Sequence, residues 1–246
     1  MINVLIFNEF KHEQSHERIK AHYPKGMHGA LAEYLSKDPE INVECVTLFN
    51  ENIELNDLES IITDEKLANV DVIMWWGHAH HEKVPDVVAQ RVQRAVLGGM
   101  GAVFLHSGHH SKPFKLLMGT TCNVDWRIGN DKCRVWVTDP SHPIVAGIDR
   151  FIELDGEEIY CEPFGIPEPE KLLFINWYEG GEVFRSGGLW RRGNGQIFYF
   201  QPGHEEYPTY YNEQILTVIK NGVKFVRPVT KRDFDLCCHH IKKIGE

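Results

Sequence analysis

The sequence predicts an α/β domain built on a mostly parallel sheet, with helices on both faces and an antiparallel extension in its second half. Three observations predict it. In the first half, short continuous apolar runs alternate with stretches of helical period, the rhythm of strand–helix–strand units. From Thr120 onward this gives way to short strand-like pieces punctuated by Pro and Gly. Histidine, present 14 times, falls just past the end of nearly every apolar run. In an open α/β sheet that position lines the crevice where ligands bind.

The elements follow in order. Residues 2–8 (INVLIFN) form an unbroken apolar run, suited to a strand covered on both faces. Residues 26–37 are helical, with Leu31 and Leu35 four apart and Asp38-Pro39 as the stop. Residues 41–48 make a second strand, 58–69 a helix and 71–77 (DVIMWWG) a third strand. Across 86–97, Val88, Val92, Ala95 and Val96 share one helical stripe, and Gly98-Gly99 ends it. A fourth strand (102–105) and a short helix (112–118) complete the first half. The later pieces are 134–138, 151–154, 158–161 and 172–177. A hairpin then runs from 183–192 to 196–201 around Gly193-Asn194-Gly195. The last helix, 212–226, carries Ile215, Val218, Ile219 and Val226 on one face. With no repeat, low-complexity stretch or linker, residues 1–246 read as a single domain.

Composition narrows the function. A formal charge of −9 argues against a nucleic-acid partner, which demands a basic footprint. No apolar stretch approaches the roughly 18–20 residues of a membrane span. MINVLIFNEF reads as a strand rather than a leader, so a cytoplasmic protein is expected. Six cysteines in 246 residues make no disulfide framework. Cys45, Cys133 and Cys161 fall in strand-like runs and are expected to be small buried hydrophobes. Cys122 and the Cys237-Cys238 pair are expected not to be catalytic, since none sits at a strand-end elbow beside a base. The Cys237-Cys238-His239-His240 run also lacks the spacers of a tetrahedral metal clamp.

The chemistry should therefore lie at the strand ends. The third strand runs into His78, His80 and His81, and the fourth into His106-Ser107-Gly108-His109-His110. The hairpin's second strand runs into His204-Glu205-Glu206, and the first strand leads to Glu9 and His12. A strand passing sharply through a glycine turn into a helix presents a side chain above the sheet. At that elbow either Ser107 is a nucleophile or helix cap, or His106 holds the exposed position. A parallel topology brings His78, His106 and His204 into one pocket. There a divalent metal, Zn²⁺ for a nitrogen-rich set, would be held by His78, His106, His109 and His204 or three of them. His12 with Glu13 stands in reserve, and Glu9 and Glu13 are candidates to orient an imidazole. Proton transfer falls to His106, His204 and Glu205. Trp76, His12 and Tyr207 are the candidate substrate contacts, because aromatic rings offer flat apolar faces with a polar edge to a ligand.

FLHSGHH, the loop after MWW, and QPGHEEY resemble three corners of the class I glutamine amidotransferase-like fold, a flavodoxin-like parallel sheet. In that family the elbow carries a cysteine; here His106 stands in its place, so thiolate amidotransferase chemistry is not expected. More closely, the chain is similar to the ThuA-like, trehalose-utilisation proteins over nearly its whole length. The carrying motifs are NEFKHE, YPKGMHG, WWGHAHHEKV, LHSGHHSKPFKLLMGTTC, SHPIVAGI and EGGEVFRSGGLWRRGNGQIFYFQPGHEEYPTYY. The resemblance implies a role in disaccharide use through oxidised keto sugars. Three readings follow: a metal-dependent enzyme on a sugar or keto-sugar, a metal-free acid–base isomerase or lyase using His106 and His204, or a non-catalytic sugar-binding or regulatory protein. The partner is a small sugar derivative in each, and the aromatic-rich late hairpin makes a homo-oligomer reasonable.

Overall fold

The computed structural model describes residues 1–230, 240–243 and 245; Cys237 and Cys238 lie outside them. In chain order the elements are β1 (Ile2–Asn8), α1 (His12–Ser15), α2 (Glu17–His22), α3 (Gly26–Leu35), β2 (Ile41–Thr47), α4 (Leu58–Ile61) and α5 (Asp64–Ala68). Then come β3 (Val72–Trp76), α6 (Asp86–Gly98), β4 (Gly101–Leu105), α7 (Lys112–Met118), β5 (Asp125–Arg127), β6 (Cys133–Val137) and β7 (Phe151–Leu154). β8 (Ile159–Cys161), β9 (Lys171–Tyr178), β10 (Val183–Arg192), β11 (Gly195–Phe200) and α8 (Glu213–Val226) complete the chain.

The main sheet is ordered β2-β1-β3-β4-β11-β10-β9-β6-β7. Its first five strands are mutually parallel, in the 2-1-3-4-5 order of flavodoxin-like sheets with β11 as the fifth. Every residue of β3 and β4 is buried, as continuous apolar runs require when helices cover both faces. α3 packs on β1 and β2, α8 on β4 and β11, and α6 against α4, α5, α7 and β11. The sheet turns antiparallel at the expected hairpin: Arg192 pairs with Gly195 across a two-residue loop, too short for a helical crossover. β5 and β8 form a separate antiparallel ribbon. Order reverses between β1 and β3, so the ligand crevice of such a fold falls at their C-terminal ends.

Several expectations need correction. The 58–69 helix is two short helices, because the Thr63 hydroxyl accepts the Lys66 N–H and starts a new helix instead of continuing the old one. The short helices α1 and α2 and the three-residue β5 carry too little periodicity to be read from sequence. Cys133 is buried, but Cys45 and Cys161 are only half-buried. The cap of α7 is Ser111, which accepts from Phe114, and not Ser107. No helix among the described residues is long and apolar enough to cross a membrane.

Candidate functional site

Because β1, β3, β4 and β11 run parallel, the residues that follow them share one edge of the sheet. His78, His106 and His204 meet there, with ring centroids 5.0 Å apart for His78–His204, 5.2 Å for His106–His204 and 6.1 Å for His78–His106. His106 occupies the elbow after β4. Its φ of 50° is left-handed, a conformation that costs an L-residue roughly 1–2 kcal/mol. Its Nδ1–H donates to the Gln201 carbonyl at 3.0 Å, and Tyr160 stacks on the ring at a centroid distance of 5.3 Å. Gly108 completes the turn, where a Cβ would meet the Trp75 carbonyl oxygen at 2.9 Å.

One residue of this cluster was not foreseen. Glu158, in the loop entering β8, is buried and brings its Oε2 to 3.0 Å from His106 Nε2 and 4.0 Å from His204 Nε2. His78, His106, Glu158 and His204 each offer a donor atom, all within 4.8 Å of one another. Since His106 Nδ1 holds the ring proton, its Nε2 lone pair faces a carboxylate oxygen. Two such acceptors at 3.0 Å require a proton or a cation between them. Glu158 Oε2 has no aligned hydrogen bond; nor has His78 Nδ1, which lies 2.9 Å from Glu205 Oε1 but off the line a hydrogen bond needs. His204 differs: its Nδ1 accepts the Glu206 N–H at 3.2 Å, which puts its own proton on Nε2.

Two further carboxylates set the electrostatics. Glu205 is buried, and its Oε1 accepts from His12 Nδ1 at 2.7 Å. Burial opposes its ionisation, but His12 and His78 outweigh that and hold it well below the carboxylate range. Burial likewise works against the His78 cation, yet the Glu205 carboxylate carries its pKa up to about 9. Burial dominates at His204 and lowers it to about 4. Burial drives Glu158 up, but His106 together with His204 and His78 brings it below its ordinary value. Glu9 accepts the backbone N–H groups of His78, Ala79 and His80 and bonds His80 Nδ1 at 2.8 Å, fixing the loop after β3. Glu13 serves Asn8 Nδ2 and the Met27 N–H and orients no imidazole directly.

The remaining candidates fall around this centre. His109 is outside the donor cluster: its Nδ1 binds the Cys122 carbonyl at 2.7 Å, because the turn into α7 has swung it toward Tyr160, Phe164 and Tyr199. Trp76 lies behind the histidines, buried, its Nε1 donating to Gly203 and its ring parallel to His106. Tyr207 donates to the Gly129 carbonyl and borders a separate hollow with Glu153 and Thr209. His12 stands at the Glu205 side, in a second group with His78 and Glu205. Ser107 bonds the Tyr160 hydroxyl at 2.9 Å, which in turn lies 3.5 Å from His106 Nε2. A cleft of about 580 Å³ opens onto the centre, lined by His78, Ser107, His109, Glu158 and Tyr160 within and by Asn123, Asp125 and Trp126 at its mouth.

Solved structures place this architecture in the class I glutamine amidotransferase-like fold. A glutamine amidotransferase of Thermotoga maritima aligns over 92% of this chain and 97% of its own, at 11% identity and a TM-score of 0.51. Within that fold the chain belongs to the ThuA family, described as trehalose utilisation, whose sequence profile matches residues 3–226. Its role is thus in carbohydrate utilisation. A structure described as ThuA-like from Parabacteroides merdae covers 94% of this chain and 92% of its own, at 15% identity and a TM-score of 0.68. Another described as ThuA-like, from Bacteroides uniformis, covers 94% of both chains at 14% identity and a TM-score of 0.63. Among curated protein sequences nothing matches.

Proposed function

We propose that the protein is a metal-dependent enzyme acting on a sugar or keto-sugar. His78, His106 and Glu158 hold a divalent ion, Zn²⁺ by preference, and His204 and Glu205 manage protons. The carrying observation is the convergence of buried donor atoms on the ligand-binding edge of the sheet, with Glu158 Oε2 lacking a hydrogen-bond partner and lying 3.0 Å from His106 Nε2, whose other neighbour is the Tyr160 hydroxyl at 3.5 Å. Two histidines and one glutamate with a position left open is a recurrent catalytic zinc set. Bound there, the ion supplies Lewis acidity toward a substrate carbonyl or hydroxyl oxygen.

The chain's own groups do the rest. The Gln201 carbonyl keeps His106 in the tautomer whose Nε2 lone pair faces inward. Glu205 Oε1 lies 2.9 Å from His78 Nδ1, so its charge favours a proton on that nitrogen and would leave the other one for the ion. His204, neutral near pH 7, presents Nε2–H to a substrate oxygen and so acts as a hydrogen-bond donor to developing negative charge. The elbow carries His106, so a thiolate reaction has no nucleophile at that position.

A second reading is favoured by the split between His78, near 9, and His204, near 4. Groups pushed apart in this way suit a metal-free acid and base. Metal content of untagged protein, after dialysis against a mild chelator, separates the two. About one zinc per chain is expected in the wild type and in His109→Gln, and loss of it in His106→Ala and Glu158→Gln. If both of the latter retain stoichiometric zinc, the assignment fails and the acid–base reading replaces it.

A further inference from the structure

The two tryptophans that end β3, Trp75 and Trp76, are buried in the sheet and cannot meet a ligand. Trp126 can. It is 63% exposed and lines the mouth of the cleft whose inner wall is His78, Glu158 and Tyr160. Its placement follows from strand register. In the β5–β8 ribbon Trp126 pairs directly with Tyr160, so the two side chains share a face with Cβ atoms roughly 5 Å apart. That face carries Tyr160 onto His106 and therefore turns Trp126 toward the same cleft. The ribbon is anchored next door, where Arg127 is ion-paired with both Asp131 and Glu182.

Beside the indole stand Asn123 and Asp125, also lining the cleft. An aromatic plane flanked by an amide and a carboxylate matches a pyranose ring, which offers an apolar C–H face and a rim of hydroxyl donors. The cleft, at about 580 Å³, lies inside the roughly 300–1,000 Å³ range of small-molecule sites and extends well beyond the donor cluster. We propose that Trp126, Asn123 and Asp125 form an outer sugar subsite, and that the ligand is a glycoside of at least two rings. One ring faces Tyr160 and the donor cluster; the next lies on Trp126. This rests on the carbohydrate reading above, but not on the metal.

Titration calorimetry with trehalose and with glucose as probes tests it, on wild type, Trp126→Ala and Trp126→Phe, with zinc content and light-scattering mass taken on the same samples. Wild type is expected to bind trehalose at least about tenfold more tightly than glucose, the worth of one good ring contact. Trp126→Ala should lose about that factor on trehalose alone, with glucose affinity, zinc and mass unchanged, and Trp126→Phe should keep most of it. Equal affinities in wild type, or an unchanged trehalose affinity in Trp126→Ala, overturns the subsite. So does a change in mass, which would mean that the indole faces a second copy. Binding of neither sugar overturns the carbohydrate reading as well. Absence of zinc with the trehalose preference intact removes only the metal reading.

Discussion

Glu157 offers the sharpest test of how the site is held together. Its carboxylate is fully buried and accepts four donors. Oε1 takes the N–H groups of Glu158 at 3.0 Å and His204 at 2.9 Å; Oε2 takes the Gly203 N–H at 2.8 Å and the Thr209 hydroxyl at 3.1 Å. It therefore ties the loop that delivers Glu158 to the loop that delivers His204. Glu157→Gln keeps the shape but replaces one acceptor oxygen by an NH₂ group. The Thr209 hydroxyl can turn round and accept; a backbone N–H cannot. At least one buried N–H is orphaned, at about 1–3 kcal/mol, and the surviving bonds weaken from charged to neutral, by roughly 1 kcal/mol in all. Burial pushes the Glu157 carboxyl above its usual range, so removing the charge recovers part of this. The net is about 2 kcal/mol, or roughly 4–8 °C in melting temperature for a domain of this size. Thermal unfolding reads the shift, and zinc titration should show weaker binding as both loops loosen. A variant melting within about 1 °C of wild type, with zinc affinity intact, would refute the account of the loops.

Two further outcomes follow from burial. His109 is held neutral, burial lowering it to about 3, so below the unfolded value near 6.5 protons favour the unfolded chain and stability falls with falling pH. Between pH 6.5 and 4.5 this one group contributes a loss of about 2.3 kcal/mol, and His109→Gln should flatten the acid limb of a stability-against-pH profile by about that amount. An unchanged acid limb would contradict it. Cys122→Ser should retain zinc and any turnover, because the buried thiol lies outside the donor cluster; full loss of either with the fold intact would show the thiol to be functional.

The parallel strands were legible because strands covered on both faces must be continuous apolar runs, and β1, β3, β4 and β11 are. That same parallelism made the meeting of His78, His106 and His204 readable, since residues following parallel strands share an edge. His109 shows the limit: three residues past His106, the tight turn at Gly108 decides where the ring points, and only φ values record that. Glu158 left no local signal. It precedes a three-residue strand in a ribbon outside the main sheet, and it reaches the histidines through the long-range bonds of Glu157 to Gly203 and His204. Trp126 was hidden for the same reason, because its partner Tyr160 lies 34 positions away and no periodicity links them. Buried Trp76 shows the converse, an aromatic at a strand end that the sheet had already claimed for packing.

The central claim is that a metal ion sits between Glu158 and the histidines. Anomalous diffraction at the zinc edge, on crystals of untagged protein grown with zinc, locates such an ion directly. The account predicts one peak about 2.0–2.2 Å from a Glu158 oxygen and from His106 Nε2, with His78 completing the set. No peak at that position, or one lying instead between His12 and Glu205, would contradict it.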